Sequence, residues 1–329
     1  MNDAEASEDE FGFVVGVTPM PDGMYPHPPT EHIHQLWQIF SENVDPLTKV
    51  VHVPTLRLAI KRATTEIGNI PRSFEALLFA IYSAAIMSLK DDQCKETFGG
   101  PRKALLSRYI SATKAALSRA KFMETTSIVV LQALILHLIS VRDLYEPRAL
   151  WTLTGVAVRI AEAMGLHRDG ASLGLPPFEA EMRRRIWWQL KMNDFRTAEL
   201  SGLAKFRDLH TDTNASKLPA NISDDELYPG MSSPATESNK PTDMVFCLLR
   251  SELGSFAATH GVQLRQQGKD GIDGYLWDDH TSKMDMAEKV GFVKEIEGYF
   301  ETKYLRYCDP SQPLHLMAML LARSALNVG

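Results

Sequence analysis

Cysteine is scarce in this sequence, with only Cys94, Cys247 and Cys308 present. Three thiols so far apart fit neither a disulfide framework nor the close ligand spacing of a zinc site, and they imply a reducing compartment. Positive charge is also short: 35 Lys and Arg stand against 41 Asp and Glu, a formal charge of -6. Without an overall positive field to hold a phosphate backbone, unaided nucleic-acid binding is disfavoured. Long apolar runs are missing too. The longest, Ile128 to Val141, contains Gln132, His137 and Ser140 and falls short of the roughly 20 residues that cross a bilayer, so it reads as a buried core helix. The first ten residues, MNDAEASEDE, are acidic where a secretory signal needs a basic and then an apolar segment. Secretion is therefore not expected, and the glycosylation-like triplets at Asn214 and Asn221 carry no weight. What is present is a chain of 329 residues, 44% apolar with 20 Gly and 18 Pro, enough to bury a substantial core.

Helical periodicity dominates what remains, and the expected fold class is all-α: a large multi-helix, bundle-like domain with long loops. Residues 1–30 join an acidic start to the Pro-rich PMPDGMYPHPP and read as a disordered tail. From there to residue 329 helices are expected, with Thr30 capping EHIHQLWQIFSENV, Ser73 capping FEALLFAIYSAAIMSLK, and Pro101 and Pro147 opening two more. The segment Thr126 to Arg142 is apolar on nearly every side and is the expected centre of the bundle. Leu150, Leu153, Ala157, Ile160, Ala161 and Met164 form an apolar stripe that stops at Gly165. A second stripe, Met182, Ile186 and Leu190, lies in the helix before Gly202. Residues 207–242 lose periodicity and gain Asp, Ser, Pro and Asn, which divides the chain into expected halves 31–206 and 243–329.

Several motifs bear on chemistry. Gly170-Ala-Ser172-Leu-Gly174 has the form of a nucleophile elbow, but a helix rather than a strand precedes it and Pro176-Pro177 follows, so a Gly-rich turn is the better reading. Asp91-Asp92 with Glu96, and Asn193-Asp194 with Thr197, resemble the magnesium-diphosphate motifs of class I terpene cyclases. That match fails at Ser201, where the second motif needs a carboxylate, and solvated loop carboxylates explain Asp91 and Asp92. His27, His32 and His34 span a Pro-rich run and a helix start, which gives a metal no fixed geometry. Arg183-Arg184-Arg185 could serve nuclear import or phosphate binding, yet beside Trp187 and Trp188 on an amphipathic helix ion pairs and ring contacts are favoured. Asp194, one turn after Leu190, is a candidate buried acid with Arg159 or a nearby arginine as its partner.

Three stretches carry a family likeness. The first runs Gly155-Val-Ala157-Val-Arg159-Ile-Ala161 and on to Gly165-Leu166-His167-Arg-Asp169; the second is Glu181 with Arg183-Arg184-Arg185-Ile-Trp187-Trp188-Gln-Leu190 and Asp194; the third is Asp212 through Leu218-Pro219-Ala-Asn221-Ile-Ser-Asp224 to Glu226-Leu227. In this order and spacing they resemble the regulatory, or middle homology, domain of fungal zinc-cluster transcription factors, from about Glu31 onward. The resemblance implies a nuclear, all-α, non-enzymatic domain that regulates an activator's output by sensing a small molecule or contacting proteins. It names Arg159, Arg184, Trp187 and Asp194 as structural contacts between the signature helices.

Three departures matter. The Gly-Arg-Pro often found after the second motif is Gly202-Leu203-Ala204, and the six close cysteines that ligate two zinc ions have no counterpart in these residues. No catalytic residue, metal or cofactor is therefore expected here, and no direct DNA contact. The chain stops soon after PLHLMAMLLARSALNVG, where such domains commonly continue, so either a shortened paralogue or a partial gene model is expected. Partners are expected to be proteins, full-length zinc-cluster relatives among them, with a small-molecule effector and no membrane. The leading reading is a regulator of a metabolic or secondary-metabolite gene cluster. Its alternatives are a ligand-binding or dimerising modulator of full-length relatives, and the cyclase.

Overall fold

The computed structural model describes residues 25–202, 215–266 and 286–326. Among them the chain is all-α, with twelve helices, no strand and one isolated antiparallel bridge between Arg168 and Ala215. It divides into two compact units. The first comprises Met1–Asp45, Val53–Glu146 and Gly155–Met164, the second Pro46–His52, Pro147–Thr154 and Gly165–Gly329. These are not the expected halves 31–206 and 243–329. The described part of the supposed dividing loop, 215–242, buries Asn221, Ile222, Asp224, Leu227 and Met231, so it belongs to the second unit's interior.

The first unit holds α1 (Thr30–Asn43), α3 (Val53–Ala63), α4 (Arg72–Met87), α5 (Asp91–Phe98), α6 (Arg102–Arg119) and α7 (Ile128–Ser140). The four-residue α2 (Asp45–Thr48) spans its first boundary. Its centre is α4, on which α1, α6 and α7 all pack, and not the expected segment Thr126–Arg142 that forms α7. The reason lies in side-chain size. Ala76, Ala80 and Ala84 recur every fourth residue and let neighbours approach closely, while Leu77, Leu78, Phe79, Ile81 and Tyr82 fill the remaining space. The buried hydroxyls of Ser83 and Thr113 lie 3.1 Å apart across α4 and α6, each also within reach of a carbonyl one turn back. In α7, burial lowers His137 to about 3, so it is a neutral core residue.

Part of the expected tail is ordered. Residues 1–24 lie outside the described residues, but Pro28 is buried, the His27 ring stacks on Phe79 with centroids 4.5 Å apart, and Arg108 donates to the Pro26 carbonyl at 3.2 Å. Proline excludes helix here without excluding burial, because its ring is apolar and its backbone has no N–H to satisfy. Proline likewise sets the helix starts: Pro29 and Pro71 take the cap positions of α1 and α4, so Thr30 and Ser73, the expected caps, fall within the helices.

The second unit contains α9 (Pro177–Leu200), α10 (Val245–Gln266), α11 (Met286–Lys303) and α12 (Pro313–Leu326), together with Pro147–Thr154, the first part of α8 (Pro147–Ala163). Leu248, Leu249, Ile296, Phe300, Tyr304 and Ala318 form the core of the last three helices. Gly165 follows α8 with φ of 77° and Gly202 follows α9 with φ of 66°, left-handed conformations that a side chain would strain.

Gly170 has a different necessity. A Cβ added there would lie 2.7 Å from the Ala180 Cα and 2.9 Å from its Cβ, against the first turns of α9. Gly170→Ala is expected to lower stability by about 1–3 kcal/mol, the usual cost of overpacking, read from the denaturant midpoint. An unchanged midpoint would mean that the loop retreats without cost.

Candidate functional site

The charged residues of the second unit converge on α9. Its sequence EMRRRIWW places Glu181, Arg184 and Arg185 within one turn, on a helix whose Met182, Ile186, Trp187 and Leu190 are buried. Arg185 follows its apolar neighbours inward and its side chain has no exposed surface. All three guanidinium nitrogens are answered. Nε donates to Glu181 Oε1 at 3.0 Å, Nη1 to Asp224 Oδ1 at 2.5 Å, and Nη2 to the Ile222 carbonyl at 3.1 Å.

A second cation meets the same carboxylate. Lys49 donates to Asp224 Oδ2 at 3.1 Å and to Asp243 Oδ2 at 2.5 Å, with its own side chain buried. Its backbone is left-handed, φ 47°, a conformation that costs a non-glycine residue roughly 1–2 kcal/mol and that here accompanies the ammonium's two buried ion pairs. His52 reaches the Asp224 carbonyl at 3.0 Å. Asp224 opens a short 3-10 turn, Asp224–Glu226, behind the cap residue Ser223, whose amide donates to Glu226.

Arg184, one position before Arg185 on α9, pairs chiefly with Asp169, while its Nη1 lies 3.6 Å from Glu181 Oε2. Its Nε and Nη2 reach both oxygens of Asp169 at 2.7 and 2.8 Å, a bidentate arrangement, and the amides of Ala171 and Lys217 donate to the same carboxylate. Loop 215–224 is thereby stitched along α9. The Ser216 amide donates to the His167 carbonyl, Trp188 Nε1 to the Lys217 carbonyl at 2.8 Å, and the Ala220 amide to Glu181. All three signature stretches thus meet in one network.

The environment shifts these acids apart. Burial would raise Asp169, but the Arg184 guanidinium and the two amides outweigh it and hold the carboxyl at about 2. Asp224 moves the same way: burial opposes, and Lys49 and Arg185 prevail. Glu181 goes up, because burial outweighs Arg185 beside it.

The other residues singled out from the sequence have separate places. Trp187 is buried, with the Lys191 ammonium 5.7 Å from its ring centroid. Arg159 is corrected: it is exposed, and its guanidinium returns to the Gly155 carbonyl of its own helix at 3.4 Å, so it serves α8 rather than a contact between helices. Asp194 is half-buried and its carbonyl accepts from Thr197, while Arg184, one of its expected partners, is committed to Asp169. Asn193 accepts from Gln189 within α9. Asp91 opens α5 instead of lying in a loop, bonded to Lys95 at 2.6 Å and to the Arg102 amide. Ser172 donates to the Asp169 carbonyl in a turn. Among the described residues no group of three or more His, Cys, Asp or Glu is arranged to hold a metal.

Sequence reasoning did not single out Lys49 or Asp243, and it quoted Asp169 and Glu181 only as members of the family-like stretches. The available signal was the misfit of a lysine within the apolar run Val44 to Val53, and acids beside buried positions of α9.

Arg185→Met would strand Glu181 and Asp224 in the interior, and a loss of about 3–5 kcal/mol is expected in chemical denaturation. A loss under 1 kcal/mol would show that the carboxylates find other partners. For Asp169, whose folded value lies below the unfolded one, the stabilisation is complete above about pH 4 and is lost as pH falls through about 2. Asp169→Asn should cost about 1–2 kcal/mol at neutral pH and flatten that acid limb in a stability-versus-pH series. Parallel curves for the two proteins would contradict the assignment.

Comparison with known proteins places this geometry. The family described as fungal specific transcription factor domain matches residues 37–247, which include Lys49, α9 and the loop to Asp243. The chain is 41% identical over 302 residues to the aurofusarin cluster transcription factor of Gibberella zeae, covering 91% of this chain and 43% of that protein. It is 39% identical over 310 residues to the pyriculol/pyriculariol biosynthesis cluster transcription factor 1 of Pyricularia oryzae, covering 91% of this chain and 40% of that protein. A C6 finger domain transcription factor of Aspergillus fumigatus is 31% identical over 326 residues, 87% of this chain and 41% of its own length. The chain therefore spans about two fifths of the length of these curated relatives. No solved structure matches it. On the family match and on the identity to these regulators, the chain belongs to the fungal-specific transcription factor domain family.

Proposed function

We propose that this chain is the regulatory domain of a transcription regulator that governs genes of a biosynthetic cluster, working in the nucleus through protein partners. The observation that carries this reading is the family match over residues 37–247, together with relatives named as cluster transcription factors. The charge network supports it from the physical side. Arg185 and Lys49 spend their charge on buried carboxylates and Arg184 on Asp169, which leaves them no capacity for phosphate. DNA contact then comes from another segment or another chain. Among the described residues no helix is long and apolar enough to cross a membrane.

A second reading, a modulator that assembles with full-length relatives, is favoured by the exposed Leu316, Met317 and Leu320 of α12. Co-purification of a tagged chain with such a relative distinguishes it.

Deleting and overexpressing the gene in its own host should move one coherent set of biosynthetic transcripts in opposite directions, as read by whole-transcriptome profiling. Unchanged transcripts in both strains would refute the regulatory reading.

A further inference from the structure

Within the second unit, the chain from Leu227 to Asp243 is fastened at two places and joined between them by a largely exposed arc, of which Ala235 packs against the buried cluster. Leu227 and Met231 are buried with Met182 and Ile222. Further on, the chain closes around Asn221. Glu237 accepts the Asn221 amide at 3.2 Å, and the Ser238 and Lys240 carbonyls accept its side-chain amide at 2.7 and 2.9 Å. Thr242 donates to its Oδ1 at 2.9 Å, and the Ser238 amide donates to its carbonyl at 2.9 Å. Asn221 in turn sits between Ala220, bonded to Glu181, and Ile222, bonded to Arg185. The clasp on Asn221 therefore braces the segment that meets the buried arginine.

Between these fastenings lies the arc Ser232 to Thr236. It has no helix or strand, and Ser232, Ser233, Pro234 and Thr236 are exposed. Among the described residues no hydrogen bond ties this arc down. Ser233 directly precedes Pro234, whose ring disfavours helical backbone at the residue before it and favours an extended one. An exposed serine with an unengaged hydroxyl, in a bend that no hydrogen bond ties to the rest of the unit, offers a kinase its nucleophile. The proline that follows specifies which kinase class.

We propose that Ser233 is a phosphorylation site for a proline-directed serine/threonine kinase, and that its phosphate loosens the clasp on Asn221. The co-substrate is ATP. Ser233 Oγ forms a bond to the γ-phosphorus, the bond from that phosphorus to the β,γ-bridging oxygen breaks, ADP leaves, and the hydroxyl proton passes to the kinase's base. No electrons are exchanged with an oxidant or reductant.

The consequence follows from local charge. Residues 222–243 carry Asp224, Asp225, Glu226, Glu237 and Asp243 against Lys240 as their one cation, with Asp224 and Asp243 themselves paired to Arg185 and Lys49 from elsewhere in the unit. A phosphoserine adds about 1.5 to 2 negative charges, and beside carboxylates it acts by repulsion. Glu237, four residues on, is the nearest of these acids along the chain and is itself part of the clasp. The same phosphate opposite an arginine cluster would order a loop; on this acidic one it opposes closure.

The experiment uses the purified chain with magnesium-ATP and a proline-directed kinase, followed by site-resolved mass spectrometry. One phosphate on Ser233 is expected in the parent chain, and none there in Pro234→Ala. Ser233→Ala separates this site from Thr18, the other serine or threonine followed by proline. An unmodified Ser233 under conditions that phosphorylate a control Ser-Pro peptide would overturn the site. Hydrogen exchange then reads the clasp: the amides of Asn221 and Ser238 should exchange at least about threefold faster after phosphorylation. Equal rates would overturn the loosening. Neither readout depends on transcript changes, so this inference and the regulatory reading fail separately.

Discussion

A guanidinium with no exposed surface must find a partner for each nitrogen, and Arg185 does so by recruiting residues from well beyond its own helix. Taking one such ion out of water costs several kcal/mol even after relaxation, and only close, well-directed partners offset it. Glu181 comes from the same helix, but Asp224 and the Ile222 carbonyl come from a loop nearly forty residues on. That loop can reach α9 only in one register. Displacing it by a residue would leave a charge unanswered in the interior, at a greater cost than the loop's apolar contacts could recover. The network is thus better understood as fixing where the loop lies than as a large net source of stability, since a well-packed apolar replacement of such a cluster is often no less stable.

Charge balance explains the reach of the network. Arg185 alone would leave Asp224 half answered, and Lys49 takes the second oxygen. Lys49 also reaches Asp243, which is partly exposed. Arg184 and Asp169 form a bidentate pair that ties the preceding turn to the same helix and joins the network through Glu181. One helix thereby positions three non-adjacent pieces of chain, 46–52, 165–171 and 215–243, with few hydrogen bonds of regular secondary structure among them.

Much of this fold was legible in the sequence, for identifiable reasons. All-α architecture follows from spacing, and proline marked helix starts because its fixed φ suits the first turn and the cap. Stops at Gly165 and Gly202 follow from their freedom to turn left-handed. The misreadings share a cause: each depended on a partner remote in sequence. Loop 215–242 looked like a divider because its polarity was read as solvation, when Asn221 and Asp224 are polar in order to be buried and bonded. Segment 126–142 looked like the centre because it is the more apolar, whereas the alanines of α4 decide which helix can be surrounded. Arg159 carried the same family likeness as Arg184, and only the fold shows that one faces solvent and the other an aspartate.

This distribution bears on what a domain of this family can do. Asp169, Glu181, Arg184, Arg185 and Asp224, drawn from the three signature stretches, are engaged in holding one another as a frame. Whatever differs between one regulator and another must therefore lie on surfaces the frame presents. The frame's own constraint helps here: because α9 and the segment 215–224 are pinned by charge, adjoining arcs can change sequence or acquire charge without unfolding the unit. A perturbation at such an arc is felt through its fastenings, and the fastening at Asn221 is one residue from a carbonyl of the buried arginine's shell. Rigid charge-locked segments and lightly held arcs are in this sense two parts of one arrangement, with the first giving the second something to act on.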